Sequence, residues 1–422
     1  MIEKIKQVIA NKSLRKKLVY TFIALFIFRF LSHIPVPGVS IEQLRQFFNQ
    51  NQIFGLLNLF TGGAMRNFSI VMLGVGPYIT SSIIFQLLAI VVPKLEELNK
   101  EGEAGRQKIN SYTRILTVPL ALIQGYAMIS LLRNQGIVIE FSTFQLVSTL
   151  IALTAGTMIL MWIGELISEN GIGNGISLII TLGIIANVPL GIVQSITVGD
   201  TSQIIGFLMI AILTILVIAA IVYFTEAERR VPVTYARRVR GNKTYGGVDT
   251  YLPIKVNIGG VIPIIFALSF MIFPGVLAKF FEQAKSEQIT NIARWITNLL
   301  QNQLAYGIGY FLLVIIFSFF YATIVFQPKQ VAENLQKQGG FVPGLRPGKE
   351  TSNYLNSIVS KITLVGGSFL AIVAVLPFIV QSITNITTIA LGGTGILIIV
   401  SVIIETARQV NSQLIMHSYD NY

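Results

Sequence analysis

The chain has 422 residues, of which 53% are hydrophobic and only 12% charged, and its formal net charge is +12. Soluble domains carry roughly 25% charged residues. A soluble chain of this length cannot bury so much apolar surface against itself, because the buried fraction rises slowly with size; lipid must solvate much of it. The absence of cysteine excludes disulfides, thiolate metal sites and thiol nucleophiles.

In chain order, a basic amphipathic start leads into a first apolar run, 18–34. It ends in His33-Ile34-Pro35-Val36-Pro37-Gly38, not in a small-residue cleavage site, so it reads as a retained span. The stretch 54–67, with Gly55, Gly62 and Gly63, is too short to span and too apolar for water. It predicts a re-entrant or half-inserted helix. Nine further runs follow at 73–92, 115–132, 146–163, 176–193, 204–224, 261–277, 308–326, 362–380 and 389–404. Runs of this length match the ~30 Å hydrocarbon core at about 1.5 Å per residue. None alternates as a barrel strand does, so they must be helices. The fold class expected is therefore an all-α polytopic membrane protein with ten transmembrane helices.

Charge sets the orientation. With the N-terminus inside, 24 of the 31 Lys and Arg fall on the cytoplasmic side and six outside, with Arg29 inside the first span. That is the positive-inside bias, and ten spans return the C-terminus to the cytoplasm. Among the cytoplasmic segments, only the connection 164–175 carries no Lys or Arg. Two cytoplasmic loops, 225–258 and 327–361, are long and basic, as functional loops often are.

What the spans lack is equally informative. Asp200, Asp249 and Asp420 all lie outside the apolar runs, and Glu165 and Glu405 sit at cytoplasmic ends. Ion-coupled carriers keep ionisable groups at mid-membrane, and aspartyl proteases need paired carboxylates. No HExxH occurs, and the only histidines are His33 and His417. An apolar constriction, which closes a pore by dewetting, fits better.

Several segments carry two readings. Gly171-Ile172-Gly173-Asn174-Gly175-Ile176-Ser177 reads as a tight interhelical turn with Asn or Ser capping; as a phosphate loop it lacks the preceding strand and the Lys. Gly74-Val75-Gly76-Pro77 marks either a kink or close packing, or a deformable helix beside a pore. The run Glu228–Arg240 interleaves Arg229, Arg230, Arg237, Arg238 and Arg240 with apolar and aromatic residues. It is a topology signal, or a docking surface for phosphates or an acidic partner. Gly339–Gly348 reads as a structured loop with one exposed arginine, Arg346. Arg29 reads as a snorkelling side chain or, alternatively, a pore charge.

Taken in order along nearly the whole chain, nine segments resemble the SecY family of protein translocation channels. They are IPVPG (34–38), LFTGGAMRNFSI (59–70), PYITSSIIFQLL (77–88), KEGEAGRQKI (100–109), GIGNGISLII (171–180), ERRVPVTYARRV (228–239), VIPIIF (261–266), VAENLQKQGGFVPGLRPG (331–348) and GGTGILI (392–398). The resemblance implies two inverted halves of five spans, 1–200 and 201–422, around an hourglass pore with a lateral gate. It implies a pore ring at Val75, Ile79, Ile176, Ile180, Ile265 and Ile398, with Val75 slightly enlarging the ring where isoleucine is common. Within the pairs Val75/Ile79 and Ile176/Ile180 the spacing is one helical turn.

It further implies a plug containing Phe54, Leu57, Phe60 and Met65, and a lateral gate at Thr80, Ile83 and Phe273. Arg346 matches a residue required for working with the SecA motor, and the two basic loops dock SecA or the ribosome with its RNA. SecE and SecG subunits, signal sequences, nascent chains and lipid complete the implied partners, in a bacterial plasma membrane and with no cofactor or enzymatic step. The external loop 279–304 and the tail after Met416 carry no family motif. The rival reading is an ion-coupled small-solute transporter, which predicts the midplane carboxylate that the spans lack.

Overall fold

The computed structural model describes residues 11–37, 39, 42–44, 58, 61–134, 136–137, 141–198, 204–235, 238–240, 243–245, 249–282, 286–384 and 393–419. The helices are α1 (Lys12–Leu31), α2 (Gly76–Val91), α3 (Pro93–Lys100), α4 (Glu103–Asn134), α5 (Thr143–Asn170), α6 (Gly175–Val198) and α7 (Ile204–Glu226). After the loop 225–258 follow α8 (Ile262–Phe281), α9 (Glu287–Gln301), α10 (Gln303–Val325), α11 (Pro328–Lys337), α12 (Lys349–Thr384) and α13 (Gly393–Tyr419). Each of the ten apolar runs overlaps one helix. By length and hydropathy alone, five described helices can cross a membrane, or six if the bent pair α2–α3 counts as one span.

That bend of 105° has a local cause. Pro93 disfavours the helical region for the residue before it, and Val92 is extended at φ −99°, ψ 111°. The apolar α2 therefore stops there, and the charged α3 leaves in a new direction. Polar extensions lengthen other helices past the membrane: α12 has 36 residues, about 54 Å at 1.5 Å per residue, against a core of about 30 Å.

Large exposed side chains such as Phe22, Phe26, Ile215 and Leu216 form the lipid-facing belt. Inside it, one apolar cluster draws on α1, α2, α5, α6, α7, α8, α10, α12 and α13. A second, external cluster joins Met65, Phe68, Met72 and Leu73 to α4 and α5. The two parts of the chain touch where α2 and α4 pack on α8 and where α6 packs on α13.

Glycines set the closest approaches. A Cβ on Gly156 of α5 would overlap the Ile70 carbonyl, and one on Gly175 of α6 would overlap the Gly164 carbonyl of α5. The 171–177 segment is indeed a tight turn: Gly173 is left-handed at φ +86°, and Asn174 caps α6 by accepting from the Ser177 N–H at 3.2 Å. Thr21 of α1 accepts from the Ile172 N–H at 3.2 Å, which ties the turn to a distant helix.

Of the 54–67 stretch, Asn58 is helical and residues 61–67 form turns, while 54–57 and 59–60 lie outside the described residues. Gly62 and Gly63 are both left-handed, at φ 69° and 83°, and consecutive left-handed residues cannot continue a right-handed helix. Arg29 neither snorkels freely nor stands as an open charge: its guanidinium donates to the Gly62 carbonyl at 2.6 Å and holds this turn against α1. The all-α description applies to the membrane body, whereas the basic loops add strands.

Those strands are β1 (Glu228–Tyr235), β2 (Arg238–Arg240), β3 (Lys243–Tyr245), β4 (Asp249–Lys255) and β5 (Gly340–Phe341). β1 and β4 pair antiparallel from Glu228↔Lys255 to Thr234↔Asp249. β5 then adds to the other edge of β1 through Thr234↔Phe341 and Tyr235↔Gly340, giving the order β4-β1-β5. Val231, Ile254 and Val342 bury their side chains against Ala322, Leu355 and Val359. The two basic loops are thus one structural unit, seated on α10 and α12.

A bidentate ion pair stitches α4 to α5, with Arg114 donating to both oxygens of Glu165 at 2.9 and 2.8 Å. Truncating one partner strands the other, part-buried charge, so Arg114→Ala is expected to cost about 1–3 kcal/mol. The double variant Arg114→Ala/Glu165→Ala should recover part of that loss. A thermal double-mutant cycle in detergent checks it; strict additivity would show that the pair contributes nothing.

Candidate functional site

The six ring positions come from four separate regions of the chain. Val75 is the residue before α2 and Ile79 lies one turn in; Ile176 and Ile180 open α6; Ile265 opens α8; Ile398 lies near the start of α13. Pro77 and Pro263 stand in the first turns of α2 and α8, where a missing N–H costs nothing. All six positions meet in the main apolar cluster. Val75, Ile79, Ile180, Ile265 and Ile398 are buried within it, and Ile176 packs against it half-buried.

Ile180 is 1% exposed and Ile398 is fully buried. Among the described residues no carboxylate or ammonium is buried; the buried polar side chains are those of Ser, Thr and Asn. Such a constriction can exclude ions without any charged latch, because water gains no hydrogen bonds by entering it.

The other predicted positions separate. Ile83 is buried in the same cluster, whereas Thr80, one turn from Gly76, donates its hydroxyl to the Gly76 carbonyl at 3.1 Å. Phe273 of α8 is half-buried and lies outside that cluster, although its neighbours Met271 and Ile272 join it. Met65 packs in the external cluster, while Ala64 and Val71 beside it reach the main one. Phe54, Leu57, Phe60 and Arg237 lie outside the described residues.

In the two basic loops the arginines differ in how their charge is held. Arg229 is exposed. Arg230 pairs with Glu228 at 2.8 Å and lies 4.8 Å from the centre of the Tyr251 ring. Its hydrogen bond to Glu228, which accepts, pushes its pKa further up, so it stays a fixed cation. Arg238 and Arg240 occupy β2, where the register sets Arg240 opposite Lys243.

Arg346 is different again. Its N–H donates to Glu350 at 3.2 Å and its carbonyl accepts from Thr351 at 2.9 Å, which clamps the main chain from both sides. Left-handed Gly344 and Gly348 flank it. The guanidinium itself is exposed, with no ion pair among the described residues. A rigid loop thus presents one unneutralised charge. Nearby, at the base of the sheet, partial burial and then Arg408 push the Lys255 ammonium below its usual pKa, while Arg408 ties α13 to Glu226 of α7 at 2.8 Å.

The family model named SecY matches residues 69–407, a span that contains every ring position. This chain belongs to the SecY family. It is 42% identical to the SecY protein translocase subunit of Halalkalibacterium halodurans, with 100% of each chain covered. It is 40% identical to that of Streptomyces coelicolor, with 97% of each covered.

Solved structures share the fold at lower identity. One described as a protein conducting channel has a TM-score of 0.65 at 19% identity, covering 94% of this chain and 92% of the other. Another, described through a SecY plug domain that stabilises the closed state, gives 0.62 at 19% with the same coverage. The Sec61 channel of a canine ribosome complex gives 0.57 at 18%, again with that coverage. Within the SecY frame, the β5 addition and the glycine contacts at Gly156 and Gly175 are features that sequence reading missed. Small residues at helix crossings were its only available signal.

Proposed function

We propose that this chain is the channel-forming subunit of a protein translocase, passing unfolded polypeptides across a bacterial plasma membrane and releasing apolar segments sideways into lipid. The observation that carries this reading is the uncharged apolar cluster, built by both parts of the chain around Val75, Ile79, Ile176, Ile180, Ile265 and Ile398. The chain performs no chemistry of its own and is not an enzyme. The solute-transporter alternative has no support from the relatives, which are translocase subunits.

In this reading the aliphatic ring seals the idle pore from the cytoplasmic side of the 54–67 plug, which carries Phe54, Leu57, Phe60 and Met65. A signal sequence parts α2 from α8 near Thr80, Ile83 and Phe273. SecE and SecG brace the halves 1–200 and 201–422, and both termini are cytoplasmic. The paired basic loops receive the ribosome, including its RNA, through Arg229, Arg230, Arg237, Arg238 and Arg240. Arg346 engages the SecA motor; joining both loops in one sheet lets either partner act on a single rigid surface.

The test is charge reversal at Arg346. A lost charge-assisted contact of about 1.5–3 kcal/mol lowers motor-driven translocation in proteoliposomes by about tenfold or more. Arg346→Glu is therefore expected to lose translocation at unchanged thermal stability, since the side chain touches nothing that holds the fold. Normal translocation by the variant would sink the motor assignment.

A further inference from the structure

The external loop between α8 and α10 carries a feature that the channel reading does not use. Helix α9 places Ile289, Ile292, Trp295 and Leu299 on one side, all large, apolar and exposed. At 100° per residue these four lie within a 120° arc. Ala293 and Thr297 occupy a second arc and are buried, and Leu300 beside them closes to 3.1 Å on the position a Cβ would take at Gly275 of α8. Glu287, Asn291, Arg294 and Asn298 make a third arc, polar and exposed, and exposed Gln288 in the first turn is the one polar residue of α9 inside the apolar arc. The helix thus has three faces, directed to protein, to an apolar medium and to water.

Its ends fix where that junction lies. Asn302 alone separates α9 from the spanning helix α10, whose first N–H groups, of Leu304 and Ala305, it caps at 3.0 and 3.3 Å. At the other end only five residues separate it from α8. The exposed apolar face therefore continues the lipid belt of the flanking helices, made there by Phe281, Leu304 and Ile308.

We propose that α9 is a membrane-surface anchor, lying in the outer leaflet with Ile289, Ile292, Trp295 and Leu299 at the headgroup–acyl boundary and Arg294 among the headgroups. A helix of this pattern buries its apolar face about 5–10 Å into that boundary, and tryptophan favours that level. The anchor sets the height of the external end of α8, against which Leu300 packs. It does not depend on which side chains form the pore.

The chain has two tryptophans, Trp162 and Trp295, so Trp162→Phe leaves Trp295 as the sole reporter with α9 itself unaltered. The full-length variant is reconstituted into phosphatidylcholine–phosphatidylglycerol vesicles with lipids brominated at shallow or deep acyl positions, and its emission is read. The expected result is blue-shifted emission, most of it lost to shallow bromines, less to deep ones, and little to aqueous iodide. Strong iodide quenching without bromolipid quenching would place the helix in water. Protection from both quenchers would mean that a protein surface, such as a second copy, covers it. Either outcome overturns the proposal.

Discussion

Replacing Ile180 and Ile265 together with asparagine is expected to make the resting channel leak small ions while the helices stay assembled. Both side chains sit in the uncharged cluster, Ile180 almost completely enclosed. A pore closed by aliphatic groups keeps ions out because water inside it forfeits hydrogen bonds. An amide at that level offers the missing partners, each worth about 1 kcal/mol net. Two amides lower the barrier by about 2 kcal/mol, which is roughly thirtyfold in rate. Decay of a potassium diffusion potential across proteoliposomes measures it.

The control is Ile129→Asn, in the external cluster and equally buried. There an asparagine meets ordinary packing, and the expected result is loss of stability without a leak. If Ile180 and Ile265 behaved like Ile129, the ring would be core and nothing more.

The second large effect falls on backbone contacts. Gly156→Ala and Gly175→Ala each drive a methyl into a main-chain carbonyl, of Ile70 and Gly164 respectively. No rotamer change relieves a clash with backbone, so each should cost about 1–3 kcal/mol or more. The paired variant should fail to accumulate. Gly76→Ala, where nothing lies within 4 Å, should stay within about 0.5 kcal/mol of the parent. Thermal unfolding in detergent ranks the three, and a Gly76 variant as damaged as the other two would contradict the packing argument.

The membrane body was legible because lipid leaves the backbone no choice: ten apolar runs had to become helices, and each overlaps one. The strands of the basic loops were not, since β1 gains its second partner from Phe341, far along the chain, and no local pattern announces such a pairing. Helix α9 lay hidden for a different reason. Ile289, Ile292, Ile296 and Leu299 recur at helical spacing, but the asparagines and Arg294 between them cancel the mean hydropathy that marks a span.

The left-handed turn at Gly62 and Gly63 was not legible either, because apolar composition does not say where a short helix ends. For the ring, burial cannot separate Ile180 from Ile129, which are equally enclosed. Only the family motifs singled out those positions, and the structure then placed them in one cluster.

Because the chain has no cysteine, Ile79→Cys, Ile180→Cys and Ile265→Cys each introduce a unique thiol, and a secretory chain stalled midway in translocation can be crosslinked to it. Crosslinks are expected at all three positions and none at Ile215→Cys, which faces outward from α7 at 67% exposure. Silence at the ring while the chain still crosses, or crosslinks at Ile215 in its place, would contradict a polypeptide path through this apolar constriction.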